Sequence, residues 1–548
     1  MIDVIIIGSG AGGGAAAWRL TSKGLKVLLI ESGPRFDPLV DFRQDQSNWE
    51  TSFPDKPGSQ GKYIVAPLQE LTDDTLDIRS WNKRNGPYVT GPNRVSFGYH
   101  HVRGFGGSSL HFTGEAHRLN PKSMRMQTDH GVGADWPISA DDLSPYWELA
   151  EDIIGASGPD FDPHSPRAKS YPNPPHAISY SSEVLSRGAQ QIGLSVTPNS
   201  LAVNSRPYDD RPDCNYCGGC LRGCQRGDKG SIDVTYLRRA QETGNLTAMT
   251  STEVTRLVTE GERVIGVIAF KNGRRETITA SVVMLCAGAV FSPALLLNSA
   301  DDRSPNGLCN ESGMVGRNLM ETLLTTTSAL HPNQLGSHRG LPVDWIAWDY
   351  NHPNAIPDII GGCRFGPAMA ESDLVGPVAY ATRVVDGWGI EHKQTMKSTF
   401  GRLLSVAAIG ESLPNERTFV SLSSEINEFG NAIPLIHSHL DDMALARLRF
   451  MTETCRQIIA ASGCYEPIEE FSSVDAFSST HIFGTCRMGH DPATSVINAN
   501  CRSFRWPNFY IADASVFPST GGGESPGLTI QALAIRAADH IISEIGEL

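Results

Sequence analysis

The first 33 residues contain the feature that most constrains the fold of this chain. Residues 4–7 are a short run of β-branched residues, which is typical of a buried parallel strand. The run ends at a Gly-x-Gly-x-x-Gly turn formed by Gly8, Gly10 and Gly13, and an alanine-rich helical stretch follows. A second buried run covers residues 25–30. The order strand, glycine turn, helix and strand predicts the start of a doubly wound α/β domain.

Each part of this stretch suits the binding of a dinucleotide. Gly8 permits the tight turn, Gly10 lets the backbone approach a pyrophosphate, and Gly13 lets the helix pack closely on the strand. The helix N-terminus offers free N–H groups and a positive dipole end to the phosphates. Glu31 lies about 20 residues further on, where a carboxylate accepts hydrogen bonds from a ribose hydroxyl. The stretch does not distinguish NAD from FAD, and a structural glycine-rich turn is the alternative.

Composition and charge exclude several classes of protein. A chain of 548 residues is too long for one core, so two or more domains are expected. The formal net charge of −14 argues against a nucleic-acid partner, which would need clustered Lys and Arg. No stretch approaches 18 consecutive apolar residues, so no membrane span is expected. The chain begins with its first predicted strand, so we expect no signal peptide and a cytoplasmic location, unless a partner subunit carries it to the periplasm.

Four cysteines lie close together in the middle of the chain. Cys214, Cys217, Cys220 and Cys224 are spaced C-x₂-C-x₂-C-x₃-C, which resembles the ferredoxin run that holds iron–sulfur clusters. Gln225 stands where that run usually has proline. Four thiolates also suit a tetrahedral zinc site, and a disulfide-linked or reduced loop is a third interpretation. The spacing leaves these alternatives open.

Six sequence blocks, taken in order, resemble the glucose–methanol–choline family of FAD oxidoreductases, and the resemblance covers nearly the whole chain. The blocks are GSGAGG…ES, RGFGGSSLHF, CAGAVFSPALLL, MVGRNLM, HIFGTCRMG and YIADASVFPSTGGGESPGLTI. The resemblance implies FAD as the dinucleotide. We expect an α/β fold in which a Rossmann-like FAD-binding domain is interleaved with an α+β substrate domain, an antiparallel sheet covered by helices. The predicted segments are 1–33, 91–121, 232–324 and 473–548 for the FAD-binding domain, 34–90 and 122–231 for a connecting or lid region with the cysteines, and 325–472 for the substrate domain.

The resemblance also assigns catalytic positions. By motif position, His481 would take the proton of the substrate hydroxyl while a hydride passes to flavin N5, and an imidazole with a pKa near 6.5 suits that role. The alternative is a buried structural histidine. The family usually has a second His or Asn before the last helix, but this chain has Ser525, which cannot act as a second base at pH 7. The neighbouring Glu524 would either face the pocket and pair with a substrate amine or be a solvated loop acid.

Further cofactor contacts follow from the same resemblance. The loop around residues 106–108 would place backbone N–H groups near the pyrophosphate and the isoalloxazine. His111 matches a position that carries a covalent flavin bond in some relatives and none in others, so both states are open. A later strand would contact adenine through its backbone, and the residues after the last strand would lie by the ribityl chain. The residues so assigned are Gly106, Gly107, Ser108, His111, Val254, Asp513 and Ala514.

Together these expectations predict FAD-dependent oxidation of an alcohol group of a sugar or glycoside to a carbonyl. The nearest branch is that of the bacterial sugar, gluconate and glycoside dehydrogenases. Some of those enzymes carry an iron–sulfur cluster in the matching cysteine loop and pass electrons to a cytochrome, so the resemblance implies a cytochrome or small subunit as partner. The alternatives are an oxidase that uses O₂, including a tailoring enzyme that oxidises an aminosugar hydroxyl, and an inactive flavin-binding subunit.

Overall fold

Five parallel strands form a sheet that we call the nucleotide-binding sheet. The computed structural model describes residues 2–43, 63–82, 92–96, 101–162, 164–368, 380, 383–477 and 481–546. In this sheet Val4 lies opposite Val27 on one side and Val282 on the other. Its strands are buried along most of their length, as strands covered on both faces must be. The strand order is Phe509–Ile511, Val282–Leu285, Val4–Ile7, Val27–Ile30 and Leu246–Met249.

Helices cover the nucleotide-binding sheet. Ala11–Ser22 follows the first strand and packs against Gly527–Glu544, which in turn packs against Ala140–Ile154. Ala140–Ile154 begins with a capping box between Ser139 and Asp142, so its first backbone N–H groups have acceptors. Parallel strands alternating with helices confirm the predicted Rossmann-like domain.

A second sheet of seven antiparallel strands, the substrate-side sheet, is covered by the helix Asp442–Ala461. Because that helix is apolar on its inner face, Leu448, Met451 and Ile458 are buried against the sheet. This arrangement is the predicted antiparallel sheet with covering helices. Its strand order is Trp81–Asn82, Glu469–Ser472, Leu323–Leu330, Leu403–Gly410, Cys363–Pro367, Trp345–Ala347 and Val196–Pro198.

The segments predicted as connections also contribute to this sheet. Trp81–Asn82 and Val196–Pro198 form its two edges, and the helix Tyr180–Gln191 packs on Asp442–Ala461. Within the predicted lid, residues 44–62 and 83–90 lie outside the described residues. The domain boundaries stay a prediction.

Smaller elements complete the described chain. Glu253–Glu260, Arg263–Lys271 and Arg274–Thr279 form an antiparallel meander. Phe419–Ile426 and Ala432–His437 pair antiparallel, and Ile64–Val65 joins them in parallel. Short pairs link Met320–Glu321 with Ile482–Phe483 and Val95–Ser96 with Ala476–Phe477. The remaining α-helices are Pro38–Asp41, Met126–His130, Arg238–Glu242, Gly288–Asn298 and Gly389–Thr399. In the part of the chain that the structure describes, none of the helices is long and apolar enough to cross a membrane.

Candidate active site

The glycine turn of the nucleotide-binding sheet is closed to any side chain. An added Cβ at Gly13 would lie 1.8 Å from the Gly8 carbonyl oxygen, so the helix can approach the strand only with glycine there. Gly8 itself has a φ of +94°, a conformation that favours glycine. The predicted flavin loop lies directly against this turn, because an added Cβ at Gly107 would be 2.7 Å from the Cα of Gly10. Two chain segments about a hundred residues apart therefore form one backbone-lined cradle at a helix N-terminus.

Glu31 is buried beside this cradle and fixes its shape. The carboxylate accepts hydrogen bonds from the Ser9 backbone N–H at 3.0 Å, from the Ser9 hydroxyl at 2.6 Å and from the Gly33 backbone N–H at 2.8 Å. The backbone N–H of Gly106 donates a hydrogen bond to the Ser9 hydroxyl oxygen at 3.0 Å. The predicted contact of Glu31 with a ribose stays a prediction, and the carboxylate has a further role in joining the turn to the flavin loop.

The other predicted cofactor residues lie around the same end of the sheet. Asp513 follows the strand Phe509–Ile511 and accepts hydrogen bonds from Gly288 N–H at 2.9 Å and Ser292 Oγ at 2.5 Å, at the start of the helix Gly288–Asn298. Ala514 and Val254 are largely buried. The contacts of these residues with FAD stay predictions.

His481 lies at the junction of the two sheets. Its backbone carbonyl accepts from the Thr322 N–H at 3.1 Å, next to the short strand pair that joins residues 320–321 to 482–483. The ring is half-buried. Burial lowers the pKa of His481 to about 4; Glu115 opposes that shift, and Arg364 reinforces it. At neutral pH the imidazole is therefore uncharged, which is the form that accepts a proton.

Ser525 belongs to a closed ring of hydrogen bonds, which we call the Ser525 ring. Its hydroxyl donates to Glu115 Oε2 at 2.9 Å and its backbone N–H donates to His117 Nδ1 at 3.0 Å. Because His117 Nδ1 accepts, Nε2 carries the proton and donates to Asn199 Oδ1 at 2.8 Å. Asn199 Nδ2 then donates to Glu115 Oε1 at 3.1 Å, which closes the ring. All four side chains are buried, so this arrangement is fixed by its own polar contacts.

Arg364 ties the Ser525 ring to the turn that precedes the last helix. Its guanidinium donates to Glu115 Oε2 at 2.7 Å and to the Gly523 carbonyl at 2.9 Å. Burial alone would raise the pKa of Glu115, but Arg364, His117 and the hydrogen bonds of the ring lower it to about 2. Glu115 is therefore a permanent anion close to His481 and Ser525, and it cannot serve as a base at neutral pH.

Glu524, next to Ser525, is buried rather than solvated. Its Oε1 accepts from Asn351 Nδ2 at 2.9 Å and from the Asn120 N–H at 3.1 Å, while its Oε2 is buried with no hydrogen-bond partner among the described residues. Burial raises the pKa of Glu524 to about 7. The interpretation of Glu524 as a solvated loop acid is therefore wrong. It lines a pocket, which we call the Glu524 pocket, together with Asp162, Trp348, His117, His164 and Arg118.

Sequence reasoning missed most of the Ser525 ring. Glu115 and His117 directly follow the block RGFGGSSLHF, but nothing in their spacing links them to Ser525, which is 410 positions from Glu115. The one available signal for Arg364 is a single charge in the short strand Cys363–Pro367, all of which is buried. The hydrogen bonds of the Ser525 ring join residues that are remote in sequence, so no local sequence pattern predicts them.

Comparisons with known proteins agree with this geometry. Residues 167–323 and 414–534 match the two sequence profiles described as GMC oxidoreductase, which together cover half of the chain, and residues 6–37 match an NAD(P)-binding Rossmann-like domain. The chain belongs to the GMC oxidoreductases. It is therefore an FAD-dependent oxidoreductase that acts on alcohol groups, as the sequence predicts.

Individual relatives of this GMC oxidoreductase are similar along almost their whole length. The 6'''-hydroxyparomomycin C oxidase of Streptomyces lividus is 29% identical, with 99% of this chain and 92% of that protein covered. The fructose dehydrogenase large subunit of Gluconobacter japonicus is 26% identical, with coverages of 99% and 98%. Among solved structures, the pyridoxine 4-oxidase from Mesorbium loti has a TM-score of 0.68 at 20% identity, with 99% of both chains covered, which supports the fold.

The residues of this GMC oxidoreductase fit FAD at the nucleotide end. The cradle between Gly10 and Gly107 is lined by backbone atoms, leaves no room for a Cβ at Gly107, and opens at the start of the helix Ala11–Ser22. Such a surface suits a pyrophosphate, which needs close backbone approach and N–H donors. His111 is buried, and its Nδ1 lies 2.9 Å from the Leu221 carbonyl oxygen. Because a carbonyl oxygen can only accept, Nδ1 is the donor in this contact. Covalent attachment of flavin at His111 stays a prediction.

The four clustered cysteines are not arranged as a metal site in the described loop. Across the described residues, which include the whole loop, no group of three or more His, Cys, Asp or Glu is arranged to hold a metal ion. Cys217 is exposed while Cys214 and Cys220 are buried, and Cys224 Sγ donates to Asp228 Oδ1 at 2.9 Å. Burial raises the pKa of Cys220 to about 12 and of Cys224 to about 11, so both are protonated thiols in this metal-free loop. The arrangement is that of the third alternative, a reduced loop, and does not support the predicted iron–sulfur or zinc site.

Proposed function

We propose that this GMC oxidoreductase oxidises a hydroxyl group of a sugar or sugar-like polyol to a carbonyl, with His481 as the base. The observation that carries the proposal is the position of His481 near Glu115, Arg364 and His117, in and around the Ser525 ring. With its pKa near 4, the imidazole is ready to accept the hydroxyl proton at neutral pH. FAD supplies the hydride acceptor when it is bound.

One neighbouring group, the Glu115 carboxylate, favours this proton transfer, against the effects of burial and of Arg364. Once His481 has accepted a proton it is a cation, and the Glu115 carboxylate is the nearby anion that stabilises it. Arg364 acts in the opposite direction and limits how basic His481 becomes. A weakly basic imidazole returns the proton readily, which suits a group that must be uncharged again for the next turnover.

Ser525 has a different role in this proposal. Its hydroxyl proton is committed to Glu115, so its oxygen offers lone pairs to the substrate. It therefore accepts a hydrogen bond from a substrate hydroxyl next to the one that His481 deprotonates. A substrate with neighbouring hydroxyls satisfies both acceptors at once, which supports a polyol. The relatives are named for fructose and for 6'''-hydroxyparomomycin C, which supports the same class.

We further propose that the enzyme is a dehydrogenase that passes its electrons to a partner protein, a cytochrome or a small subunit. The similarity to a protein named as a large subunit supports a partner. The alternative, direct use of O₂, is supported by the similarity to a protein named as an oxidase. An oxidase forms hydrogen peroxide in air and a dehydrogenase does not, so a peroxide assay distinguishes the two activities. An iron–sulfur centre stays a prediction from cysteine spacing alone, and analysis of iron and sulfide in anaerobically purified protein tests it.

Anaerobic bleaching of the flavin by a panel of sugars and polyols tests the main proposal. We expect at least one polyol to bleach the holoenzyme and His481→Ala to abolish the bleaching while FAD stays bound. His490→Ala is the matched control, because His490 is exposed and close in sequence, and it should bleach like the unmodified enzyme. Equal bleaching in the two variants would exclude His481 as the base, and no bleaching by any alcohol would exclude the proposed activity.

A further inference from the structure

The Glu524 pocket has an unbalanced negative charge. Glu524 and Asp162 are both buried in its wall, and neither forms an ion pair with Lys, Arg or His within the described part of the chain. The pocket's own guanidinium, that of Arg118, is committed to Glu151 through two hydrogen bonds of 2.9 and 2.8 Å. Isolated buried carboxylates are costly, so their retention needs a compensating contact.

The histidines of the pocket do not provide the missing positive charge. Burial lowers the pKa of His117 and of His164, so both are uncharged at neutral pH. His117 is also fixed as an acceptor at Nδ1 by the Ser525 N–H. Arg364 is a buried cation that lowers the pKa of Glu524, but its ion pair is with Glu115. Glu411 approaches Glu524 from the substrate-side sheet as a second acid, which adds to the negative charge.

The rest of the wall is suited to a cation. Trp348 lines the pocket, and its ring packs edge-to-face on His117 with centroids 4.9 Å apart. An indole face attracts an ammonium ion more strongly than any other aromatic side chain does. Glu524 Oε2, buried without a hydrogen-bond partner among the described residues, is an acceptor that a charged donor can satisfy. His117 lines this pocket and also accepts from the Ser525 N–H, so the pocket adjoins the Ser525 ring.

We propose that the Glu524 pocket binds a protonated amine of the substrate, so that the enzyme prefers amino-substituted polyols to neutral ones. The proposal rests on the proposed function, since it places the amine beside the hydroxyl that His481 deprotonates. An ammonium group would form an ion pair with Glu524 and lie near Asp162 and Trp348. Glu524 supplies the charge, and the oxidised hydroxyl remains at the His481 side.

Matched pairs of amines and neutral analogues test this preference on the holoenzyme. The pairs are D-glucosamine with D-glucose, D-galactosamine with D-galactose, and ethanolamine with ethylene glycol. Binding is measured by the rise in unfolding temperature, and turnover by anaerobic flavin bleaching, both at pH 7.5. We expect at least one amine to bind or react about tenfold better than its neutral partner, the ratio that one buried ion pair provides. No preference for any amine would overturn the inference.

Two variants show whether Glu524 causes the preference. Glu524→Gln keeps the shape and hydrogen bonds but removes the charge, so the amine-to-neutral ratio should fall to within about twofold of one. Glu411→Gln removes a buried acid that faces Glu524 but does not line the pocket, and it leaves the Glu524 carboxylate in place, so a preference for the amine should remain. A ratio that survives in Glu524→Gln would overturn the inference. Bleaching by neutral polyols without an amine preference would leave the proposed function standing, whereas bleaching by no alcohol would remove the function instead.

Discussion

The nucleotide cradle and the Ser525 ring are built on opposite principles. The cradle is held by contacts between backbone atoms, and two of its positions, Gly13 and Gly107, have no room for a side chain. The Ser525 ring is held by charged and polar side chains, with Glu115 and Arg364 buried at its centre. One region is therefore sensitive to added volume and the other to a change of charge. Substitutions that add volume should therefore disrupt the cradle, and substitutions that remove charge should destabilise the Ser525 ring.

The largest effect is expected from volume in the cradle. Gly13→Ala should abolish FAD binding or folding, because its Cβ would lie 1.8 Å from the Gly8 carbonyl oxygen, which cannot move without breaking the turn. Gly527→Ala is the matched control, since no atom lies within 4 Å of its added Cβ. The flavin-to-protein ratio after purification measures the difference. A Gly13→Ala protein with full flavin content would show that the cradle is not sterically closed.

The second largest effect is expected when a charge is removed from the Ser525 ring. Arg364→Met should lower the free energy of unfolding by about 3–5 kcal/mol, because it leaves the Glu115 carboxylate buried without its partner. Adding Glu115→Gln to that variant should restore part of the loss. The exposed pair of Arg125 with Asp129 provides the control, since Arg125→Met should cost less than about 1 kcal/mol. Urea unfolding of the holoenzyme checks these values, and equal losses in the two single variants would contradict the account.

A smaller, pH-dependent effect is expected at Glu411. Burial raises the pKa of Glu411 from 4.5 to about 7, so the folded protein resists ionisation of this carboxyl between those two pH values. The unfolded chain ionises it near pH 4.5, and the penalty therefore grows as the pH rises from 5 to 7 and stays constant above that. Glu411→Gln should gain about 2 kcal/mol relative to the unmodified protein over this range. A difference that stays constant with pH would mean that Glu411 does not titrate there.

The smallest effect is expected at the cysteine loop. Cys217 is exposed, so Cys217→Ser should change the free energy of unfolding by no more than about 0.5 kcal/mol and leave the flavin content unaltered. A metal site at the four cysteines would give a different result, because loss of one ligand would release metal and destabilise the loop. Metal analysis and unfolding of the two proteins side by side distinguish these outcomes.

The contrast between the two regions also explains what the sequence could predict. The cradle follows from local pattern, because the β-branched run at 4–7 and the glycines after it specify strand, turn and helix within one stretch. The fold class was predictable for the same reason. The position of His481 followed from its motif, but its low pKa did not, since that depends on burial and on charges from other segments.

Features set by distant contacts could not be predicted. Ser525 departs visibly from the family pattern in the sequence. Its hydrogen bond to Glu115, however, forms only when the chain folds and brings the two residues together. The cysteine spacing suggested a metal, but spacing does not determine which thiols are buried or where they point. The two edge strands of the substrate-side sheet come from segments that look like loops, because short edge strands carry little periodicity.

The most direct test of His481 as the base is the pH dependence of anaerobic flavin reduction by a polyol that saturates the enzyme. Burial keeps His481 uncharged at neutral pH, with its pKa near 4. Since only the uncharged imidazole accepts a proton, kcat/KM should stay level from pH 8 to about pH 5 and fall only below that, and His481→Ala should be inactive throughout. A half-loss of kcat/KM near pH 6.5, where an ordinary histidine titrates, would contradict the account.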